Sequence, residues 1–388
     1  MVVELVILYI PVILLLLVSL IIVFRIAQRV YYIFYSCSVP RLHHQNYGNY
    51  SPRSELEAFF IQHSISVSNH ELSSINADPN DQQPLTALRY RRLGKGSNYL
   101  LLANGVGTDF FMWLPWLRCM VSLDPRFFDK NTLIVQSYRG LFHPDDSEFH
   151  KDIRISVHSC VEDMKTIMND ARLTHYDTII GWSTGAQFAL AFCARYPHLT
   201  RSLVLLNPSV GKTLHYSLQA VVPLPSTIRS IVSHLLVSTI ELLKSIIPSS
   251  TWDTLKAVSQ STGLRVFLEF FSFMGGFPPE QAVYFHEYLR DVFKTRVHTR
   301  SLLDLILSLD EPAVLGSTTL SQPTIIFSGL FDNLTGVYLS YQLQSEMKGP
   351  VKQVTFTMGS HFILLEWPDV IAKHVIEFIY THSSSSSR

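Results

Sequence analysis

The stretch Thr178-Ile179-Ile180-Gly181-Trp182-Ser183-Thr184-Gly185-Ala186 constrains this chain more than any other. An apolar run of strand character reaches a serine with glycines two residues before and two after it. Ala186-Gln187-Phe188-Ala189-Leu190-Ala191 then continues with helix formers. A strand that turns abruptly into a helix lifts the residue at the turn clear of the sheet. Its backbone then passes so close to its neighbours that side chains beside the turn are poorly tolerated, and Gly181 and Gly185 occupy those places. A Gly/Ser pattern alone describes many ordinary turns. The strand before it and the helix after it are what distinguish Ser183.

Strand-like runs recur along the chain, near Phe60 to Val67, Leu85 to Leu93, Tyr99 to Ala103, Thr132 to Tyr138, Thr178 to Trp182, Ser202 to Leu206, Thr324 to Ser328 and Gln353 to Thr357. From the third onward most are separated by helix-length segments, as crossovers between parallel strands require. The first two are expected to form a hairpin at one edge. Between the sixth and seventh, Gly211 to Pro323 is far too long for a simple crossover and is helical in pattern with aromatic clusters, which predicts a lid. The expected fold class is α/β: an eight-stranded, mostly parallel sheet with a helical lid, preceded by one N-terminal transmembrane helix. The corresponding segments are an anchor at 1–30, a connector at 31–58, a sheet core at 59–211 and 323–382, the lid at 212–322, and a low-complexity tail at 383–388.

The anchor rests on Leu5 to Phe24, an uncharged run dominated by Leu, Ile and Val that as a helix spans the roughly 30 Å hydrocarbon core of a bilayer. A cleaved signal peptide fits less well: Glu4 stands where a basic region belongs, the apolar run is long, and no small-x-small cleavage site follows. Pro11 is tolerated in membrane helices. Arg25, Arg29 and Arg41 follow the segment, and this bias places the C-terminal bulk in the cytosol. An anchor of this length with no sorting motif suits the endoplasmic reticulum membrane. Asn333-Leu334-Thr335 is formally a glycosylation sequon beside a candidate site residue, a conflict that a cytosolic location avoids. The cysteines Cys37, Cys119, Cys160 and Cys193 form no C-x-x-C pair and read as free thiols. A formal net charge of zero gives no reason to expect a nucleic-acid partner, and the histidines show no metal-binding spacing such as H-E-x-x-H.

A serine hydroxyl is a weak nucleophile at neutral pH and needs a base, a carboxylate to hold that base, and donors for the oxyanion that forms. Pro323 to Asp332 reads as a buried strand ending in a loop, which puts Asp332 at the same sheet edge as Ser183. Gly359-Ser360-His361 follows the next strand in the same manner. Taken alone, Asp332 is equally a loop carboxylate capping a helix and His361 an ordinary surface histidine. Their order after Ser183, at strand ends where catalytic groups of parallel sheets gather, favours a Ser–Asp–His triad. Gly105-Val106-Gly107 also follows a strand, but Thr108-Asp109-Phe110 supplies no third glycine, so a dinucleotide fingerprint is a poor reading.

From Phe60 to Tyr380 the chain resembles the α/β-hydrolase fold family, in the branch typified by membrane-associated monoacylglycerol lipases. The elbow and triad carry the resemblance together with several further stretches. Leu101-Leu102-Ala103-Asn104-Gly105-Val106-Gly107 is similar to the family's oxyanion loop, and Ser137-Tyr138-Arg139-Gly140 to its aromatic-Arg-Gly turn. Glu162-Asp163-Met164 lies in the helix leading to the elbow, and His361 to Pro368 resembles the histidine loop. The resemblance implies that Ser183 is the nucleophile, His361 the general base and then acid, and Asp332 the orienting carboxylate. It implies backbone oxyanion donors at Val106 and Thr184, and no metal or organic cofactor. Asn104 stands where the family usually has histidine, and Ala186 where a further glycine is common.

An anchored catalytic domain points to a lipid or other hydrophobic ester substrate. Ile231 to Ile247 and Phe267 to Phe277, the apolar and aromatic parts of the lid, read first as lid core and second as an acyl-chain tunnel or membrane-facing patch, and the two readings are compatible. Ester hydrolysis, with monoacylglycerols as the leading substrates, is the expected activity. A lipid acyltransferase on the same triad remains open because Glu366 follows His361 at the spacing where some relatives carry the aspartate of an acyl-transfer motif. A catalytically silent membrane scaffold is the third reading.

Overall fold

The structure is a computed structural model that describes residues 52–72, 88–106, 108–141, 155–213, 215–216, 225–248, 251, 299–310, 320–332 and 334–383. The expected anchor, the connector as far as residue 51, the aromatic run Phe267 to Phe277, Gly107 and Asn333 lie outside these residues. Among the described residues no helix is long and apolar enough to cross a membrane.

Among the described residues eight strands form one sheet: Val67–Leu72 (β1), Leu88–Leu93 (β2), Asn98–Ala103 (β3), Asn131–Ser137 (β4), Tyr176–Trp182 (β5), Thr200–Leu206 (β6), Thr324–Gly329 (β7) and Val351–Phe356 (β8). Their spatial order is β1-β2-β4-β3-β5-β6-β7-β8. β1 pairs antiparallel with β2 at one edge, where a hairpin is expected, although β1 shares only Val67 with the first expected strand; β2 pairs antiparallel with β4. All other neighbours run parallel, so the C-terminal ends of β3 to β8 open on one edge. Every residue of β5 and β7 is buried, which requires cover on both faces of the sheet. β8, at the other edge, is mostly half-exposed.

The first expected strand is corrected. Phe60 begins no strand; it belongs to helix α1 (Pro52–Gln62), which also takes in the end of the expected connector, and β1 starts only at Val67. Phe59-Phe60-Ile61 reads as strand in isolation, but Leu56, Phe59 and Phe60 at helical spacing are buried while Ile61 is 80% exposed. Pro52 at the first helical position suits this start. The chain then leaves the helix through Ser64, whose φ of 51° breaks the helical path. The other seven expected strands are present with boundaries shifted by a few residues.

Helix α2 (Leu114–Leu123) packs against the C-terminal helix α8 (Pro368–Ser383), which runs one residue into the expected tail, and α3 (Val157–Asp170) packs against α4 (Thr184–Arg195). α3 opens with a reciprocal cap, the Ser156 hydroxyl accepting from the Ser159 N–H at 3.1 Å and the Ser159 hydroxyl accepting from the Ser156 N–H at 2.9 Å. Tyr176 of β5 donates its hydroxyl to the Met164 carbonyl of α3 at 2.7 Å, fixing this helix against the sheet ahead of the turn at Ser183. Between β6 and β7 the chain contributes α5 (Ser226–Ile246) and α6 (Thr299–Ser308), joined by an ion pair between Lys244 and Asp304. α7 (Val337–Glu346) follows β7. Cys119, Cys160 and Cys193 are free thiols, the last two buried.

Candidate active site

Ser183 sits between β5 and α4 with φ 56° and ψ −116°, a conformation that costs a non-glycine residue on the order of 1–3 kcal/mol and persists only where the surroundings impose it. Here they do. The Ser183 N–H donates to the Leu206 carbonyl at 2.8 Å, and its own carbonyl accepts from the N–H groups of Ala186 and Ser209, both at 3.1 Å. The two glycines are sterically required: a Cβ on Gly185 would stand 2.0 Å from the Ala103 carbonyl oxygen, and one on Gly181 would stand 2.6 Å from the Ala186 backbone.

Asp332 follows β7 and His361 follows β8, and both meet Ser183 at the C-terminal edge. His361 Nε2 lies 2.9 Å from Ser183 Oγ, and His361 Nδ1 lies 2.9 Å from Asp332 Oδ2 and 3.1 Å from Oδ1. A carboxylate only accepts, so the imidazole proton belongs on Nδ1 and Nε2 is free to accept the serine proton. All three side chains are buried, none more than 6% exposed. Burial alone would raise the Asp332 pKa, but the adjacent His361 and hydrogen bonds from His361 and Thr335 outweigh it and hold the carboxyl below its ordinary value.

The two loops are tied to each other and to the sheet. Phe331 N–H donates to the Gly359 carbonyl at 2.9 Å, and a Cβ on Gly329 would meet that same oxygen at 2.4 Å, so the loops approach closely because residue 329 lacks a side chain. Asn207, at the end of β6 with φ 43°, links three strands: its Nδ2 donates to the Ser360 carbonyl at 2.8 Å, its Oδ1 accepts the Gly329 N–H at 2.9 Å, and its own N–H reaches the Phe327 carbonyl at 2.8 Å. Trp182, the residue before the serine, donates its indole N–H to the His361 carbonyl at 3.2 Å. Glu366 accepts from the Ser360 N–H at 2.8 Å and from the Ser360 hydroxyl at 2.7 Å. Sequence reasoning assigned no positioning role to Asn207, Trp182 or Thr335. For Asn207 a signal exists, since Leu206-Asn207-Pro208 ends a strand at the same edge as the triad candidates.

Of the expected oxyanion donors, Thr184 is the first residue of α4, so its N–H has no acceptor within the helix. Val106 lies in the loop after β3, and the neighbouring Gly105 is close enough that a Cβ there would touch Ser183 Cβ at 3.5 Å. The departure at Asn104 has a structural account. Its side chain accepts the Trp113 indole N–H at 2.7 Å and donates to the Gln136 carbonyl at 3.5 Å, while its carbonyl accepts the Tyr138 hydroxyl. Asparagine thus braces this loop through both ends of its amide. Arg139, next to Tyr138, forms a largely buried ion pair with Asp163 of α3, which explains why these matched stretches occur together.

No curated protein sequence matches this chain significantly. Solved structures of the same fold include an esterase from Exiguobacterium antarcticum (13% identical, TM-score 0.54, covering 76% of this chain and 96% of that one). A thermophilic esterase from Thermogutta terrifontis is 15% identical, with a TM-score of 0.53 and coverage of 81% and 99%. A haloalkane dehalogenase variant from Bradyrhizobium elkanii is 16% identical, with a TM-score of 0.51 and coverage of 83% and 99%. At these identities the likeness shows the fold and leaves the reaction to the site, as the dehalogenase among them illustrates. The sequence pattern of the alpha/beta hydrolase fold matches residues 119–368, well over half of the chain and inclusive of Ser183, Asp332 and His361. This chain belongs to the alpha/beta hydrolase fold family.

Proposed function

We propose that this protein is a membrane-anchored serine hydrolase that cleaves carboxylic esters, with lipid esters such as monoacylglycerols as its substrates. The observation that carries this reading is the continuous hydrogen-bonded chain from Ser183 Oγ through His361 to Asp332 on a strained strand-to-helix turn. His361 Nε2 takes the Ser183 proton as Oγ attacks the ester carbonyl carbon. The carbonyl oxygen, now anionic, faces the N–H groups of Thr184 and Val106. As the tetrahedral carbon collapses, the C–O bond to the alcohol breaks and His361 returns the proton to the leaving oxygen. Water repeats the sequence on the acyl-enzyme: His361 accepts its proton, the hydroxide oxygen bonds to the acyl carbon, and Ser183 leaves as the hydroxyl with release of the carboxylic acid. A serine at the turn does not suit dehalogenase chemistry, which in this fold uses an aspartate there.

Two features support a lipid substrate. The Leu5 to Phe24 segment tethers the catalytic domain to a bilayer, for which we propose the cytosolic face of the endoplasmic reticulum. On α5, Ile228, Ile231, Leu235, Leu242 and Ile246 fall on one stripe and are each between 46% and 66% exposed. We propose that this stripe faces the membrane and admits substrate from it. Acyl transfer needs only an alcohol in place of water at the second step. Glu366, at the acyl-transfer spacing, has both carboxyl oxygens engaged by Ser360, which speaks for a bracing role and for hydrolysis.

Labelling of the membrane-expressed full chain by a fluorophosphonate tests the proposal. Wild type should label, Ser183→Ala should not, and His361→Ala should label severely more slowly, because loss of a triad member costs on the order of 10⁴-fold or more in rate. Product analysis with a monoacylglycerol in water, with and without an added alcohol, then separates hydrolysis from transfer. A folded wild type that never labels would overturn the enzyme reading in favour of a silent scaffold.

A further inference from the structure

The Asp332 carboxylate is surrounded by more than its histidine. Oδ1 accepts the N–H groups of Leu334 and Thr335, both at 2.8 Å, and Oδ2 accepts the Thr335 hydroxyl at 2.7 Å alongside His361 Nδ1–H at 2.9 Å. Thr335 therefore supplies two of these four donors, and it is itself only 4% exposed. Its hydroxyl carries one proton and has three polar neighbours: Asp332 Oδ2 at 2.7 Å, the Asn207 carbonyl at 3.1 Å and His361 Nδ1 at 3.3 Å. The Nδ1 proton is directed at the carboxylate, so the hydroxyl proton has two acceptors to choose between. The charged and nearer one takes it.

We propose that Thr335 is a positioning residue of the site: its amide and hydroxyl hold the Asp332 carboxylate against the imidazole, and its hydroxyl draws charge from Oδ2, which tempers the pull of the carboxylate on the imidazole and leaves Nε2 able to accept the Ser183 proton. This rests on the serine-hydrolase reading. A carboxylate stripped of that donor concentrates its charge on His361 and favours the imidazolium, which cannot act as base. The hydroxyl thus limits how strongly Asp332 holds the protonated histidine, while the remaining donors keep the carboxylate ionised despite its burial. Among the described residues, the other ionisable side chains facing the pair are Ser183, Glu366 from the turn after His361, and Tyr338 from α7, which itself faces Arg229 of α5. A substitution at Thr335 leaves all four in place.

The test uses the full-length chain in detergent micelles, comparing wild type with Thr335→Val, Thr335→Ala and Thr335→Ser. The rate of Ser183 phosphonylation by a fluorophosphonate is followed from acid to alkaline pH. Without the hydroxyl, the acid limb of the profile should move to higher pH by about one unit, since a hydrogen bond to a charged group is worth roughly that much. Thr335→Ser should keep the wild-type limb. Thr335→Ala removes the same proton with less steric demand and decides the matter if the valine variant does not fold. A lower rate with an unmoved acid limb would make Thr335 merely structural and overturn the proposal, as would a serine variant that shifts like valine. The downfield Nδ1–H resonance of His361 reports the same ionisation without any chemistry at Ser183. If wild type is never phosphonylated the hydrolase reading falls, and this titration alone then shows whether Thr335 sets the histidine.

Discussion

The C-terminal edge of the sheet and the α5 helix solve opposite problems with opposite materials. At the edge, Ser183, Asp332 and His361 are polar side chains buried to within 6% exposure and paired with one another, held by loops that Asn207, Trp182 and Glu366 tie together. On α5 the polar Ser233 is turned inward to Asp310, with Oγ–H donating to Oδ2 at 3.3 Å, while Ile228, Ile231, Leu235, Leu242 and Ile246 face outward. A buried polar group is tolerated only if its partners are fixed, so the edge must be rigid. An exposed apolar stripe needs a partner that arrives from outside. Under the proposed function, chemistry belongs to one region and substrate supply to the other, and variants that strike one without the other test the division.

The largest effect belongs to the edge. Asp332→Asn preserves size and most packing, but its amide N–H directed at His361 Nδ1 drives the imidazole proton to Nε2, where it faces Ser183 and blocks proton acceptance. Turnover should fall by about 10⁴-fold on soluble and lipid esters alike, with KM little changed. Turnover within about tenfold of wild type in a folded protein would remove Asp332 from the mechanism. That outcome would leave the sheet edge with a serine–histidine pair alone.

A smaller, selective effect belongs to α5. Replacing Ile231, Leu235 and Leu242 by serine removes outward-facing apolar area without touching the Lys244–Asp304 ion pair or the Ser233–Asp310 contact. Hydrolysis of a long-chain monoacylglycerol in vesicles should fall by about tenfold, on the scale of losing a few partly buried side chains from a bilayer contact. Hydrolysis of a short soluble ester should be unchanged. Equal loss on both substrates would mean that the stripe supports the fold, and no loss on either would remove its role in substrate supply.

The edge was far more legible in the sequence than the helix that opens the described chain, and the reason is locality. Gly181, Ser183 and Gly185 act within one turn, where a Cβ on Gly185 would stand 2.0 Å from the Ala103 carbonyl oxygen, so the close backbone approach itself fixes which residues can stand there. Strands that are buried on both faces, such as β5 and β7, announce themselves as apolar runs. Helix α1 was misread because Phe59-Phe60-Ile61 carries strand-forming residues, and only the spacing back to Leu56, with Ile61 turned to solvent, shows its period. Asn207 and Thr335 were missed for a different reason. Each is a single polar residue whose meaning comes from a partner brought close by the fold: Asn207 meets Ser360 across 153 positions, and Thr335 meets Asn207 across 128.

The smallest expected effect contrasts two carboxyls on either side of His361. Asp332 accepts from the histidine itself and is held below its ordinary pKa, whereas Glu366 has only Ser360 as donor among the described residues, and burial pushes its carboxyl up from 4.5 to about 8. At neutral pH Glu366 is therefore largely protonated in the folded chain and ionised in the unfolded one. The folded state then binds the extra proton, so this group's contribution to stability declines as pH rises from the ordinary glutamate value to about 8 and is level above that. Glu366→Gln resembles the protonated acid: its carbonyl accepts the Ser360 N–H and its amide donates to the Ser360 hydroxyl. The variant's melting temperature relative to wild type should climb by a few degrees across that interval and then stay constant to pH 9. A wild-type advantage that instead grows with pH would mean that Glu366 is an ionised brace, which would make the two carboxyls alike and remove the asymmetry around the histidine.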